Sequence, residues 1–335
     1  MHKEPARKGQ LFSITDGTLT ESDARAMLER IRWPDGLVCV FADCGGAEVY
    51  RIEVKASQRK NGKAVSPRHL YKCKACRRQF SVTKGTIFED SKIPLRTWIL
   101  VMYRMCSSKK GLSAFQVHRE FGMSYKNAWF MAHRIRFAMF EKDPSILEGT
   151  VEADETYIGG KPRGHRFHRA AATARARYRG EKSPRIEAME RKTPVFGILE
   201  RGGKVRAMAM PDLSQREVER VLLANLKRGK TQLMTDEHKY YHWISGAFPH
   251  GVIRHYSEYV RGDIHTQGIE GFWSQLKRGL TSTYHHVDQG YLNQYVQEFA
   301  FRHNTRHITD TERFNALLAN VSGRLDWYLT SSEPS

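Results

Sequence analysis

No stretch of this 335-residue chain is apolar for long enough to cross a bilayer. The opening residues, MHKEPARKGQLF, lack the apolar core of a secretory leader. Cysteine is scarce and odd in number, five in all, which excludes a disulfide-stapled scaffold. Acid is in deficit: 36 Asp and Glu stand against 55 Lys and Arg, for a net charge of +19. That imbalance disfavours a cationic partner and points to a polyanion, of which nucleic acid is the commonest. What is present in ordinary measure is apolar content, 40%, so a folded chain is expected. These absences describe a soluble, cytoplasmic protein with reduced thiols and no membrane partner.

Residues 20–33, TESDARAMLERIRW, space their apolar residues helically after a Thr-x-x-Asp start that resembles a capping box. Cysteine pairs and short strand-like runs fill 36–83, and 93–140 is helical with breaks near Gly111 and Gly122. From Gly149 the pattern changes. GTVEADETYIGG reads as a strand, and TPVFGILER-GG-KVRAMAM as a hairpin about Gly202 and Gly203. SQREVERVLLANLKR reads as an amphipathic helix opened by Ser214, TQLMTDE as a strand, HKYYHWIS as a short helix and GVIRHYSEYV as a strand. Helical stretches follow at about 264–281, 290–304 and 310–329. Three antiparallel strands followed by alternating helices and strands give a mixed sheet covered by helices, the element order of the ribonuclease H fold. Between the first two strands, residues 161–192 hold eleven Lys or Arg against three acids and almost nothing large and apolar. That segment reads as a flexible basic loop, ordered at best on contact with an anion.

Cys39 and Cys44 form C-x4-C, and Cys73 and Cys76 form C-x2-C, with 28 residues between the pairs. Two such knuckles can offer four thiolates at tetrahedral angles to one zinc ion, and with no open position that zinc is structural. Gly45 and Gly46 suit the sharp turn of the first knuckle. Cys106 stands alone in an apolar helix and reads as core packing.

LSAFQVHREF is a helix with Ser113 and Gln116 placed as a capping box. Gly122 can supply a left-handed stop, and Ser124 can cap YKNAWFMAHRIRFAM. Helix, short turn, helix is the layout of a helix-turn-helix. Tyr125, Lys126 and Asn127, at the start of the second helix, are the expected base readers, with His133, Arg134 and Arg136 expected to hold phosphates.

Three acids occupy telling positions. Strand alternation puts Val151 and Ala153 on one face and Glu152 and Asp154 on the other. Asp236 ends the fourth strand of the core, and Glu270 lies early in the helix after the fifth, 82 and then 34 residues further on. In the ribonuclease H order strands one and four are neighbours and the last helix packs across them, so these acids can converge. Clustered carboxylates repel unless a cation sits between them, and hard oxygen ligands favour Mg²⁺ or Mn²⁺. Two such ions about 4 Å apart serve in-line attack on a phosphodiester. Glu152, Glu155 and Glu237 read as solvated surface groups. Lys277 shares a helix face with Glu270 and can place a phosphate, while Phe272, Leu276 and Leu280 fall on a burying stripe.

Taken together, VEADETYIGGKPRGH, TPVFGILERGGKVRA, IHTQGIEGFWSQLKRG, TYHHVDQGYLNQYVQEFAFRHN and KCKACRRQFSVTKGTIFEDSKIPLRTW resemble the DDE-class transposases of bacterial insertion sequences, in the ISXO-like branch. The resemblance runs from about Trp33 to Asn304. It implies an α/β fold: a ribonuclease H-like mixed sheet with flanking helices, preceded by a zinc ribbon and a helix-turn-helix domain. It further implies cut-and-join chemistry on double-stranded DNA, at element ends and target, with Asp154, Asp236 and Glu270 as ligands of catalytic Mg²⁺ or Mn²⁺. Lys277 matches the lysine that follows the glutamate in that branch. Synapsis of two ends implies a homodimer or larger assembly. Two departures stand out: the first knuckle is C-x4-C where relatives have C-x2-C, and Gln267 stands where relatives often have asparagine. The expected organisation is an N-terminal helix over 1–35, a zinc ribbon over 36–90 and a helix-turn-helix domain over 91–145. A catalytic domain over 146–305, carrying the basic loop, and a C-terminal helix over 306–335 complete it.

Overall fold

The computed structural model describes residues 18–55, 57–58, 64–65, 68–142, 144–159, 192–237, 241, 243–253, 262–323 and 325. These fall into two units, one of residues up to Met139 together with 308–329, the other of Phe140–His307. The greater part of the basic loop, 161–191, lies outside the described residues.

In the first unit, α1 (Glu21–Arg32) opens on the expected capping box. The Thr20 hydroxyl accepts the Asp23 N–H at 3.1 Å, and the Asp23 carboxylate accepts the Thr20 N–H at 2.9 Å. Its Ala24, Met27 and Leu28 are buried. β1 (Val49–Val54) pairs antiparallel with β4 (Arg68–Cys73), Val49 opposite Cys73, with β2 (Ser57–Gln58) and β3 (Ala64–Val65) paired between them in sequence. β5 (Gln79–Phe80) adds to the far side of β4, and Trp33, Tyr71 and Phe80 pack ring against ring under the ribbon. α2 (Leu95–Ser107) starts after Pro94, which offers no side-chain cap. Glu21 supplies one instead, accepting the Leu95 and Arg96 N–H groups at 3.2 and 2.9 Å. α3 (Ala114–Phe121) and α4 (Tyr125–Ala138) follow.

The second unit is built on a five-stranded sheet. β6 (Leu147–Gly159) pairs antiparallel with β7 (Lys192–Glu200), Asp154 opposite Gly197, and β7 pairs antiparallel with β8 (Val205–Ala209). After α5 (Gln215–Asn225), β9 (Leu226–Thr235) runs parallel to β6 on its other side, Val151 opposite Leu233, and β10 (His250–Val252) runs parallel to β9. The order β8-β7-β6-β9-β10 is the expected ribonuclease H arrangement, with strands one and four of the core as central neighbours. Some boundaries differ from expectation: the last helix, expected over 310–329, ends at Ala319, and the strand after α5 starts early. Leu226 turns straight into extended backbone (φ −114°, ψ 140°), so Leu-Lys-Arg belongs to β9 and not to the helix before it. Gly229, at φ +73°, lies where β9 slips register against β6, a conformation glycine reaches without steric cost.

Alternation along the strands gives the sheet two buried faces. Val151, Ala153, Phe196 and Ile198 meet α5 through Val218, Val221 and Leu222. Val195, Leu199, Val205 and Ala207 meet α6 (Gln267–Gly279) and α7 (Leu292–Asn304) through Ile269, Phe272, Leu276, Val296 and Phe299. Each Val, Leu, Ile or Phe among them contributes about 1.5–3 kcal/mol on burial, so both layers stabilise the sheet. α6 runs on into a π-helical turn, Leu280–Tyr284. α8 (Asp310–Ala319) then returns to the first unit, where Phe314 meets the Tyr103 ring edge-on at 5.9 Å and Arg313 donates to the Cys106 carbonyl at 3.1 Å. Among the described residues no helix is long and apolar enough to cross a membrane.

Candidate functional site

Among the described residues, two clusters of side chains could hold a metal ion, one in each unit. In the first, local turns aim the thiols. The Cys39 N–H donates to the Gly46 carbonyl at 3.0 Å and the Cys73 N–H to the Arg78 carbonyl at 3.2 Å, closing both knuckles. The sulfur of Cys39 lies 3.8 Å from that of Cys76, and the sulfur of Cys44 lies 3.6 Å from that of Cys73. All four lie within 4.8 Å of one another. Zinc–sulfur bonds of about 2.3 Å at tetrahedral angles set sulfur–sulfur edges of about 3.8 Å, so the four thiols fit one zinc ion. The wider C-x4-C knuckle therefore delivers both of its thiols. A Cβ at Gly46 would stand 3.0 Å from the Cys73 sulfur and 3.3 Å from that of Cys44, so a side chain there would crowd the site. Arg78 stacks on Phe41 at 3.9 Å, pairs with Asp43 at 2.6 Å and hydrogen-bonds the Cys76 thiol, drawing its pKa down to about 6. Cys106 is buried in α2, as core packing requires.

The helix pair α3–α4 has the expected turn. The Ser113 hydroxyl accepts the Gln116 N–H at 3.1 Å, Gly122 adopts φ +62°, and the Ser124 hydroxyl accepts the Asn127 N–H at 3.3 Å. The Gln116 side chain donates to Glu120 at 2.7 Å, so the first cap is one-sided. Tyr125, Lys126 and Asn127 are exposed on the first turn of α4, within reach of a ligand. The expectation for His133, Arg134 and Arg136 is corrected: all three are buried. Arg134 donates to the Glu89 carbonyl at 2.9 Å, and its guanidinium lies over the rings of Trp98 and Phe130 at 5.9 and 5.0 Å. Residues 131–136 are buried without a break, so these cations fasten the unit internally and present nothing to a phosphate. Burial, with the Arg136 charge beside it, holds the His133 imidazole down to about 2, hence neutral.

In the second unit the carboxylates come from separate strands. Val151 and Ala153 enter the α5 face, while Glu152 and Asp154 face α6, as alternation requires. β6 and β9 run parallel with Glu152 opposite Met234, and the same direction carried forward brings Asp154 to Asp236, just past Thr235. Asp154, Glu155 and Asp236 place carboxylate oxygens within 4.8 Å of one another. Burial first, then the charges of Glu155 and Asp236, push Asp154 up to about 7, against a 2.9 Å hydrogen bond from the Trp273 indole N–H that lowers it. An all-oxygen donor set whose members repel one another suits a hard divalent cation.

Two acids read as surface groups are not. Glu155 is half-buried and accepts from the Tyr241 hydroxyl at 3.3 Å. Glu152 is 1% exposed and paired with Arg201 at 2.8 Å. Glu237 is exposed, as read. Glu270 lies in the first turn of α6, exposed, accepting from the Thr266 hydroxyl at 2.8 Å, and is not within the 4.8 Å group. Lys277 is exposed in the last turn, while Phe272, Leu276 and Leu280 bury the helix as expected.

One unit thus carries a cysteine ribbon, and the other a ribonuclease H-type sheet with acids at the adjoining ends of its central parallel strands. Residues 146–304 match the ISXO2-like transposase domain, and residues 19–79 match the transposase zinc-ribbon domain. The chain belongs to the ISXO2-like transposases. It is also 28% identical over 304 residues to an uncharacterized protein in transposable element ISH50 of Halobacterium salinarum, an alignment covering 90% of this chain and 96% of that relative.

Proposed function

We propose that this transposase binds the ends of its mobile element through the first unit and cuts and rejoins DNA strands in a metal-dependent reaction on the second. The observation that carries the reading is the meeting of Asp154 and Asp236 at the ends of paired parallel strands. In this reading Asp154, Asp236 and Glu270 hold Mg²⁺ or Mn²⁺, and the four cysteines hold structural Zn²⁺. Held there, such ions would supply activation of a water or 3′-hydroxyl and stabilisation of the leaving oxygen. The sheet supplies two carboxylates in fixed positions, and α6 delivers the third together with Lys277. Lys277, two turns on from Glu270, offers a point charge to a phosphate beside the scissile one.

The net charge of +19 supports a DNA partner, and exposed Tyr125, Lys126 and Asn127 at the start of α4 are the proposed base readers. Arg134 has no part in this, because its guanidinium is internal. Bringing two ends together calls for a homodimer or larger assembly. A second reading, a DNA-binding regulator with a decayed core, is disfavoured by the retained acids. Nicking of a duplex carrying the cognate ends, with and without Mg²⁺, tests the proposal. Mg²⁺-dependent nicking at the end supports it, and tight end binding without nicking, whether or not Mg²⁺ is present, supports the regulator.

A further inference from the structure

α6 is capped in an unusual way. Its own N-cap residue, Thr266, makes no side-chain cap bond, and its hydroxyl donates to Glu270 at 2.8 Å. The third backbone N–H of the helix, that of Ile269, donates at 2.9 Å to the buried carboxylate of Glu152 on β6. That contact satisfies one of the orphan donors of the first turn and places a negative charge at the positive end of the helix. The other Glu152 oxygen accepts from Arg201 Nε at 2.8 Å. The same guanidinium donates to the Asp263 carbonyl at 2.7 Å and the His265 carbonyl at 2.9 Å, so it fastens the segment leading into α6 to the same carboxylate.

One turn further along α6, Trp273 donates to Asp154, two residues beyond Glu152 on the same strand face. Four helical residues rise about 6 Å, and two strand residues rise about 6.6 Å. The two contacts, 152 to 269 and 154 to 273, are therefore in step and fix helix against strand along their length. Glycines make the close approach possible. A Cβ at Gly268 would stand 2.8 Å from the Glu152 carboxylate, and one at Gly197, opposite Asp154, would stand 2.6 Å from the Trp273 ring. Glu270 lies between the two contacts. An apolar pair could fill the space of Glu152 and Arg201 without the desolvation cost, but it would not set a register.

We infer that Glu152, clamped by Arg201, is a positioning residue that holds α6 so that Glu270 faces the Asp154–Asp236 pair. This rests on the assignment of Glu270 as a metal ligand. The test is a cycle of Mn²⁺ binding to the full chain, measured by calorimetry with the metal alone. The variants are Glu152→Ala, Glu152→Gln and Glu270→Ala, with each Glu152 change also made in the Glu270→Ala background. Partners that orient metal ligands are worth about 10–100-fold in affinity. Glu152→Ala is therefore expected to weaken Mn²⁺ binding about tenfold, and Glu152→Gln, which can still accept the Ile269 N–H, less. In the Glu270→Ala background either change should add less than about twofold, because its effect passes through that residue. If Glu152→Ala fails to fold by circular dichroism, Glu152→Gln carries the cycle. Undiminished Mn²⁺ binding in the Glu152 variants overturns the inference alone, as does an equal loss with and without Glu270. Wild-type Mn²⁺ binding by Glu270→Ala overturns the ligand assignment, and the inference with it.

Discussion

The thiol cluster and the carboxylate cluster are assembled by opposite means. The thiols arrive in pairs on two turns closed by their own backbone hydrogen bonds, and one hairpin joins the pairs. The carboxylates Asp154 and Asp236 lie 82 residues apart, and nothing local relates them: only the parallel pairing of β6 with β9 does. The first site depends on short-range turns and the chemistry of four soft donors. The second depends on the whole sheet being in register. A local site can fail without its neighbours noticing, whereas a site made by topology stays put as long as the fold does.

That contrast is open to attack at several points. The sharpest blow falls on the carboxylates: Asp154→Ala or Asp236→Ala should lower cleavage by about three orders of magnitude or more, since grouped residues act as a unit. End binding in a gel-shift assay should stay at the wild-type level, and a parallel loss of binding would show that the two units do not divide the work. Next in size is the ribbon. Structural zinc contributes on the order of 10–16 kcal/mol in small zinc modules, more than a short hairpin can supply alone. Purified protein should hold about one zinc per chain by elemental analysis. Cys73→Ser should lose it together with end binding, while the melting transition of the sheet unit survives.

The two units should also answer to pH in opposite senses. In chelator, Asp154 keeps its proton up to about pH 7 when folded, well above the ordinary range near 4. Its contribution to stability is whole below about pH 4 and is lost as pH rises through 7. His133 runs the other way: its folded value near 2 lies below the ordinary 6.5, so stability is whole above pH 6.5 and is lost as pH falls toward 2. Calorimetry between pH 4 and 6.5 should find the first unit's transition falling with acid and the second's rising. Asp154→Asn should flatten the second slope, and a slope unchanged by that substitution would exclude Asp154 as its source. The smallest effect belongs to Lys277. Lys277→Ala should slow single-turnover cleavage at saturating protein about tenfold, with Lys277→Arg recovering part of it. Equal rates for Lys277→Ala and wild type would return that lysine to the surface.

Much of this was legible in the residues. The capping box at Thr20, the turn at Gly122, the hairpin at Gly202 and the sheet order follow from local signals that tertiary packing did not override. The cysteine spacing sufficed because thiols on knuckles leave few alternatives. Arg134 was misread because a cation in a helix is expected to face outward. The apolar residues around it, Met131, Ala132, Ile135 and Ala138, leave α4 no outward face there. Glu152 was misread although alternation had already put it beside Asp154. Periodicity assigns a face but not what covers it, and α6 arrives from 117 residues away. Glu155 escaped for a related reason, since its neighbours come from the far end of β9 and from Tyr241.

The return of α8 to the first unit carries a consequence for synthesis. A ribosome emitting this chain releases α1 to α4 early, but Phe314, Leu317 and Leu318, which are buried in that same unit, emerge only after the entire sheet has been made. Until then the apolar side of α2 lacks its cover, and Asn320 has not yet reached the Ala138 carbonyl, to which it finally donates at 2.6 Å. Folding in order of emergence thus cannot finish the unit proposed to grip DNA before the unit proposed to cut it exists. A nascent chain or a fragment ending before residue 308 carries an unfinished grip and exposed apolar surface. Such a piece is fitter for proteolysis than for occupying an element end.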